Sequence, residues 1–185
     1  MDKYGSDKPD LRIDLTLTDA TALLSNCGFG PFESNTVKAI VVTDFSGTRK
    51  QIDKLCADVE VQAGEKAYWF RYDENKEIVG GIAKFIQPIK DQVVEALDLT
   101  PGCFVGLTAG KLLSAQKTAG VLRNKLGAFC PAHMDAQRYE FCWIVDFPMY
   151  EIGEESGQLE FCHNPFSMPN GGLEVLKKAA AGQAD

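Results

Sequence analysis

The sequence lacks any long apolar run. Its residues are 45% hydrophobic and 24% charged, which is typical of an ordinary globular protein. Without a stretch of about 20 apolar residues, it offers no candidate transmembrane helix. The amino terminus is charged from Asp2 onward and has no apolar core of a secretion signal. We therefore expect a cytoplasmic protein with no membrane partner.

Histidine is scarce and the cysteines are scattered. There are two histidines and six cysteines, and no cysteine lies in a CxxC pair. We expect reduced thiols. One grouping resembles a metal site, namely Cys130 and His133 with Cys162 and His163. Because adjacent residues of an extended chain point to opposite faces, Cys162 and His163 could hardly bind one ion together. We expect no metal site.

The chain has no overall basic excess. Residues 17–130 carry thirteen acids and thirteen bases, whereas residues 131–185 carry nine acids and three bases. This is not the footprint of an autonomous nucleic-acid binder. The helix predicted at 110–126 has four bases, Lys111, Lys117, Arg123 and Lys125, spread around its polar arc. A solvated face is the favoured interpretation, and contact with RNA phosphates is the alternative.

Motifs that bind phosphates or activate a nucleophile are also missing. There is no P-loop, no GxGxxG pattern and no nucleophile elbow. Gly80-Gly81 is better explained as a bulge after a short strand than as a phosphate cradle. No catalytic residue is predicted.

The middle of the chain has a clear order of strands and helices. Strands are predicted at 37–45, 66–73, near 78–85 and at 103–109. Thr48 is predicted to cap a helix, a second helix follows Ile89, and a third spans 110–126 with Gly127 closing it. The apolar seam of the third helix is Leu112, Ala115, Ala119, Leu122 and Leu126. The order β-α-β-β-α-β-α predicts an α+β domain, with three helices on one face of a largely antiparallel sheet.

The flanks do not fit that order. Residues 11–17 alternate between apolar and polar side chains, as a half-buried strand does, and residues 138–148 predict a long strand that turns into a return strand at 158–164. We therefore expect the two flanks to be separated pieces of another domain, with the middle unit inserted between them. A chain that starts and stops within a fold has the character of a fragment.

The two histidines have different contexts. His163 follows an alternating strand and precedes a turn with two prolines, where it either contacts a polar substrate or caps a hairpin. His133 lies in a linker, and we expect it to be solvated.

Four motifs together resemble bacterial-type aspartyl-tRNA synthetase. They are YGSDKPDLR (4–12), FVGL (104–107) followed in the third helix by LR (122–123) and KLG (125–127), WIVDFPMYE (143–151) and FCHNPFSMP (161–169). The middle unit is similar to the GAD insertion domain, which also occurs in the B subunit of the tRNA-dependent amidotransferase. The resemblance implies the boundaries 1–28 for a first catalytic piece and hinge, 29–130 for the insertion and 131–185 for the truncated return into the class II catalytic domain.

The resemblance also implies a function. The family activates aspartate with ATP and Mg²⁺ and transfers it to tRNA, and its members are expected to be homodimers. His163 matches a histidine that contacts aspartate, while Asn164 stands where many members have a second histidine. The class II motifs that grip ATP lie outside this chain, so the chain alone is expected to be inactive and to hold no cofactor. The alternative is a stand-alone GAD-like module that binds tRNA or a protein.

Overall fold

The computed structural model describes residues 1–145, 148, 150–153, 156–162 and 171–181. The chain divides into two compact units, residues 1–141 and residues 142–185. Among the described residues, no helix is long and apolar enough to cross a bilayer.

The first unit is built on an antiparallel sheet. In the described residues its strands are β1 (Thr18–Asp19), β2 (Thr36–Val42), β3 (Ala67–Tyr72), β4 (Ile78–Val79) and β5 (Cys103–Gly110). Their order across the sheet is β1-β2-β5-β3-β4, and every neighbouring pair is antiparallel. The predicted α+β class with an antiparallel sheet is confirmed.

Helices cover both faces of this sheet. On one face, α2 (Arg49–Ala63) and α5 (Leu112–Phe129) pack with Ile40, Trp69 and Phe104. On the other face, α1 (Thr21–Leu24), α3 (Ala83–Ile86) and α4 (Lys90–Ala96) pack with Val37, Phe70 and Val105. The predicted placement of three helices on one face is therefore corrected for α4. The physical reason is that the central strands are apolar on both faces, so both must be covered.

Helix α2 begins as predicted. The Thr48 side chain accepts a hydrogen bond from the Gln51 backbone N–H, and the Gln51 side chain accepts one from the Thr48 backbone, which completes a capping box. Ile52, Leu55 and Val59 form its buried seam.

Helix α5 is longer than predicted and runs on to Phe129. Gly127 does not end the helix but is a buried residue within it. The Ile13 side chain packs so closely there that a Cβ atom on Gly127 would lie about 2.6 Å from it. Leu112, the first residue of the predicted seam, is 55% exposed. The rest of the seam is buried.

Residues 11–17 show the predicted alternation in burial but not the predicted strand. Ile13, Leu15 and Leu17 are buried, while the residues between them are exposed. The only β-type pairing recorded in this described stretch is the isolated bridge between Ile13 and Met134. On the other edge of this segment, the carbonyl groups of Ile13 and Leu15 accept hydrogen bonds from the Arg123 side chain.

The second unit contains a short hairpin and a helix in its described residues. Strand β6 (Tyr150–Ile152) pairs antiparallel with β7 (Leu159–Phe161), and α6 spans Gly172–Ala180. The predicted strand at 138–148 is wrong for residues 138–145, which are not in a strand. Trp143 there is 93% exposed, and a strand needs a partner for its backbone groups.

Candidate functional site

The predicted substrate-binding residue, His163, lies outside the described residues, as does Asn164. The described hairpin leads up to it, with Tyr150 opposite Phe161 and Ile152 opposite Leu159. The role predicted for His163 stays a prediction.

The structure brings together the two flanks of the predicted insertion. The Asp14 N–H donates to the His133 carbonyl (3.1 Å), and the Asp135 N–H donates to the Arg12 carbonyl (2.9 Å). The bridge between Ile13 and Met134 lies between these two bonds. The chain therefore enters and leaves the helix-and-sheet unit at one place, as an inserted domain requires. The exact boundaries at 28 and 130 stay predictions.

His133 belongs to this junction, so the expectation of a solvated histidine is wrong. Its side chain is only 14% exposed. Nδ1 lies 2.8 Å from an Asp14 carboxylate oxygen, and Nε2 lies 3.2 Å from the Thr43 carbonyl oxygen. The imidazole thus links the N-terminal segment, the loop after β2 and the return segment at 131–135. Tertiary contacts hold it where the local sequence shows only a linker.

The deepest polar group of the junction is Arg123, on α5. The residue is fully buried, which corrects the prediction that it lies on a solvated face. Its Nε donates to the Leu15 carbonyl (2.6 Å), and Nη2 donates to the carbonyls of Ile13 (2.6 Å) and Asp10 (2.9 Å).

Arg123 also contacts an aromatic ring and lies near two carboxylates. The guanidinium carbon lies 4.9 Å from the centre of the Tyr4 ring, which is a cation–π contact. Burial lowers the pKa of Arg123, and the nearby groups Tyr4, Asp10 and Asp14 act in the opposite direction. An arginine stays protonated under such conditions, so a buried cation is held mainly by backbone carbonyl groups.

Residues 1–17, here called the N-terminal strap, cross α5 at closely packed glycines. A Cβ atom on Gly120 would lie about 2.8 Å from the Gly5 carbonyl carbon, and one on Gly5 would meet the backbone of Gln116 and Gly120. Gly5 also has a left-handed φ of 66°, which favours glycine. The strap closes on itself where the Leu17 N–H donates to the Lys3 carbonyl (2.9 Å). Glycine is thus required where two backbones touch.

The tip of the strap is exposed and charged. Arg12 donates two hydrogen bonds to the Asp10 carboxylate, at 2.9 and 2.7 Å, and Lys8 pairs with Asp7 at 2.6 Å. The hydrogen bond from Arg12 lowers the pKa of Asp10. Asp7 and Asp10 are thus paired with neighbouring cations.

The described residues contain no cluster of three or more potential metal ligands. Within the suggested Cys130 and His133 pair, both histidine nitrogens already face oxygen atoms. His163 again lies outside the described part of the chain.

Sequence reasoning missed Arg123 and its acceptors. A usable signal was present, because Arg123 follows Leu122 in the apolar seam and stands between Gly120 and Gly127. Two glycines seven residues apart leave one side of a helix open to close packing by another backbone. For His133 no comparable local signal exists.

Comparison with known proteins agrees with the motifs. Residues 32–119 match the GAD domain family. An aspartate–tRNA ligase of Streptomyces avermitilis is 43% identical over 178 residues, which cover 95% of this chain and 30% of the relative.

Two further relatives have a different printed name, aspartate–tRNA(Asp/Asn) ligase. The protein of Acidiphilium cryptum is 45% identical over 94% of this chain, and that of Rickettsia felis is 34% identical over 96%. The chain spans about 30% of the length of these relatives. The resemblance to aspartyl-tRNA synthetases and to the GAD domain that the motifs indicated is confirmed.

Proposed function

We propose that this chain, whose residues 32–119 match the GAD domain family, is an internal segment of an aspartate–tRNA ligase. The observation that carries this proposal is identity of 34–45% to such ligases along nearly the whole chain. The longer protein, here called the full-length protein, would condense aspartate with ATP to aspartyl-adenylate and then transfer aspartate to tRNA. It would need Mg²⁺ and act as a homodimer in the cytoplasm.

The described geometry fits an insertion within a catalytic domain. The strap and residues 133–135 pair at one junction, while the GAD domain folds between them. The segment by itself supplies no residue that we assign to ATP or Mg²⁺. We therefore expect the isolated segment to be inactive and to bind no cofactor.

His163 is the residue that we propose contacts the aspartate substrate. An imidazole N–H can donate to a carboxylate and so fix the orientation of the substrate for attack on ATP. This role is positioning and not acid–base catalysis.

Replacing His163 in the full-length protein tests this role. In His163→Ala, the loss of one charge-assisted hydrogen bond of about 1.5–3 kcal/mol should raise the KM for aspartate roughly ten- to hundredfold. The KM for ATP should barely move. Equal losses for ATP and aspartate, or a lower melting temperature with unchanged kinetics, would make His163 a structural residue.

A stand-alone GAD-like module that binds tRNA or a protein is the second candidate. The observation that favours it is that residues 1–141 form a compact unit with apolar clusters on both sheet faces. Since Arg123 is buried, at most three of the four bases predicted to face solvent, Lys111, Lys117 and Lys125, could contact phosphate. Binding through about three such contacts should be weak and should fall steeply with salt. Submicromolar tRNA binding at physiological salt that is lost in the triple Lys→Gln variant would favour this candidate.

A further inference from the structure

We propose that His133 is a pH-sensitive latch at the junction where the chain enters and leaves the helix-and-sheet unit. When the junction is closed, the imidazole carries a proton on both ring nitrogens. Loss of one proton loosens the contact between the return segment at 131–135 and the loop after β2. The inference does not depend on the proposed function, because all of these contacts lie within the unit 1–141.

The first step of the argument is that each ring nitrogen of His133 faces an oxygen that accepts. Nδ1 lies 2.8 Å from a carboxylate oxygen of Asp14, and Nε2 lies 3.2 Å from the carbonyl oxygen of Thr43. A neutral imidazole has one N–H and one lone pair, so it can donate to only one of these acceptors. The charged imidazole donates to both. The two contacts together therefore favour the charged form.

The Thr43 hydroxyl offers a neutral alternative. Its oxygen lies 3.4 Å from Nε2 and could donate to an unprotonated nitrogen. The carbonyl oxygen of the same residue is closer to Nε2, so a lone pair on Nε2 would face a lone pair of the carbonyl. We therefore assign the carbonyl contact to the closed junction. Thr43→Val separates the two arrangements, because it removes the hydroxyl and keeps the carbonyl.

The charges on the elements around His133 also favour a cation. Arg12 is paired with Asp10, and burial raises the pKa of Cys130, which keeps this thiol neutral. Among the other groups on these elements the acids outnumber the bases. The full set is Asp10, Arg12 and Asp14 on the strap, Asp44 in the loop after β2, Arg71 on β3, Asp98 after α4, Arg123 and Lys125 on α5, and Cys130 and Asp135 beside His133 in the chain.

The latch acts on the junction because the same residues also bond through their backbones. The Asp14 N–H donates to the His133 carbonyl, and the Asp135 N–H donates to the Arg12 carbonyl. When the ring loses a proton, we expect the longer contact, to Thr43, to break and the contact to Asp14 to remain. Closing the junction thus takes up a proton and opening it releases one, so closure becomes less favourable as the pH rises.

The test uses nuclear magnetic resonance on the 185-residue protein and three variants. His133→Gln removes the titrating ring, Thr43→Val removes the hydroxyl, and Asp58→Asn, at an exposed carboxylate of α2, is the matched control. The chemical shifts of the ring nitrogens report whether one or both carry a proton. Hydrogen exchange at the amides of Asp14 and Asp135, corrected for the intrinsic rate at each pH, reports how often the junction opens.

In the wild type we expect both nitrogens of His133 to be protonated at about pH 7, where an ordinary histidine is mostly neutral. Between about pH 6 and about pH 8.5, protection of the two amides should fall roughly tenfold, as the loss of one hydrogen bond from a charged group implies. Thr43→Val and Asp58→Asn should show the same fall. In His133→Gln the protection should not change with pH.

Three results would overturn the proposal. The first is a single protonated nitrogen on His133 in the wild type at about pH 7. The second is an equal fall in protection in His133→Gln and in the wild type. The third is loss of the fall in Thr43→Val, which would assign the contact to the hydroxyl. If His133→Gln does not fold, the ring shifts of the wild type and the exchange data of Thr43→Val decide the question.

Discussion

Replacing Gly120 by alanine should destabilise the protein, although helix propensity alone predicts the opposite. In the interior of a helix, alanine is favoured over glycine by about 1 kcal/mol. At Gly120, however, the new Cβ would lie about 2.8 Å from the Gly5 carbonyl carbon. The neighbour is backbone and cannot rotate away, so the strap must shift. Overpacking of this kind costs about 1–3 kcal/mol.

The shift also reaches Arg123, which lies one turn further along α5. Each hydrogen bond from a charged donor is worth about 1.5–3 kcal/mol, and weakening the three carbonyl contacts adds to the loss. After the gain in propensity is subtracted, we expect a net loss of about 2 kcal/mol in the free energy of unfolding.

Urea denaturation followed by tryptophan fluorescence measures this change, because Trp69 is buried in the cluster beneath α2 and α5. Gly30→Ala is the matched control, since nothing lies within 4 Å of a Cβ atom there and its φ is not in the left-handed region. That control should be neutral or stabilising by up to about 1 kcal/mol. If Gly120→Ala stabilises the protein as much as the control does, the close crossing of strap and α5 is wrong.

Two further predictions concern the sheet and the strap. The hydrogen bond from Thr21, aided by Lys38, lowers the pKa of Asp19 from 3.8 to about 2. Because the pKa of Asp19 is lower in the folded protein, this stabilisation is present above pH 3.8 and is lost as the pH falls toward 2. Asp19→Asn should remove that part of the pH dependence of the urea midpoint. The same pH profile in the variant and the wild type would contradict this prediction. Deleting residues 1–17 from the unit 1–141 should lower its stability by several kcal/mol, since three buried apolar side chains are worth about 1.5–3 kcal/mol each. Equal urea midpoints for 1–141 and 18–141 would show that the strap does not complete the core.

Local chemistry in the sequence predicted much of the fold. The capping box at Thr48, the β-branched strand β2 and the aromatic strand β3 are determined by short patterns, and all three are present. The alternation of Ile13, Leu15 and Leu17 also predicted burial correctly. What it could not predict was the partner of their backbone, because alternation reports which side chains are buried and not what the carbonyls bond to.

The remaining errors share a cause in tertiary contacts. Gly127 was predicted to end α5, but it lies within the helix because Ile13 packs against it. Arg123 was counted among surface cations because charge alone suggests solvent, whereas three carbonyls from residues more than a hundred positions away allow its burial. Long-range contacts of this kind leave little trace in a single sequence. The family resemblance was found because its motifs are long and occur in order along the chain.

The most direct test of the proposed function is aspartate-dependent exchange of pyrophosphate into ATP, measured on the full-length protein and on the 185-residue segment side by side. We predict that the full-length protein catalyses the exchange with aspartate and not with glutamate, and that the segment does not exceed a buffer blank. Exchange by the segment alone, or exchange by the full-length protein that does not depend on aspartate, would contradict the proposal.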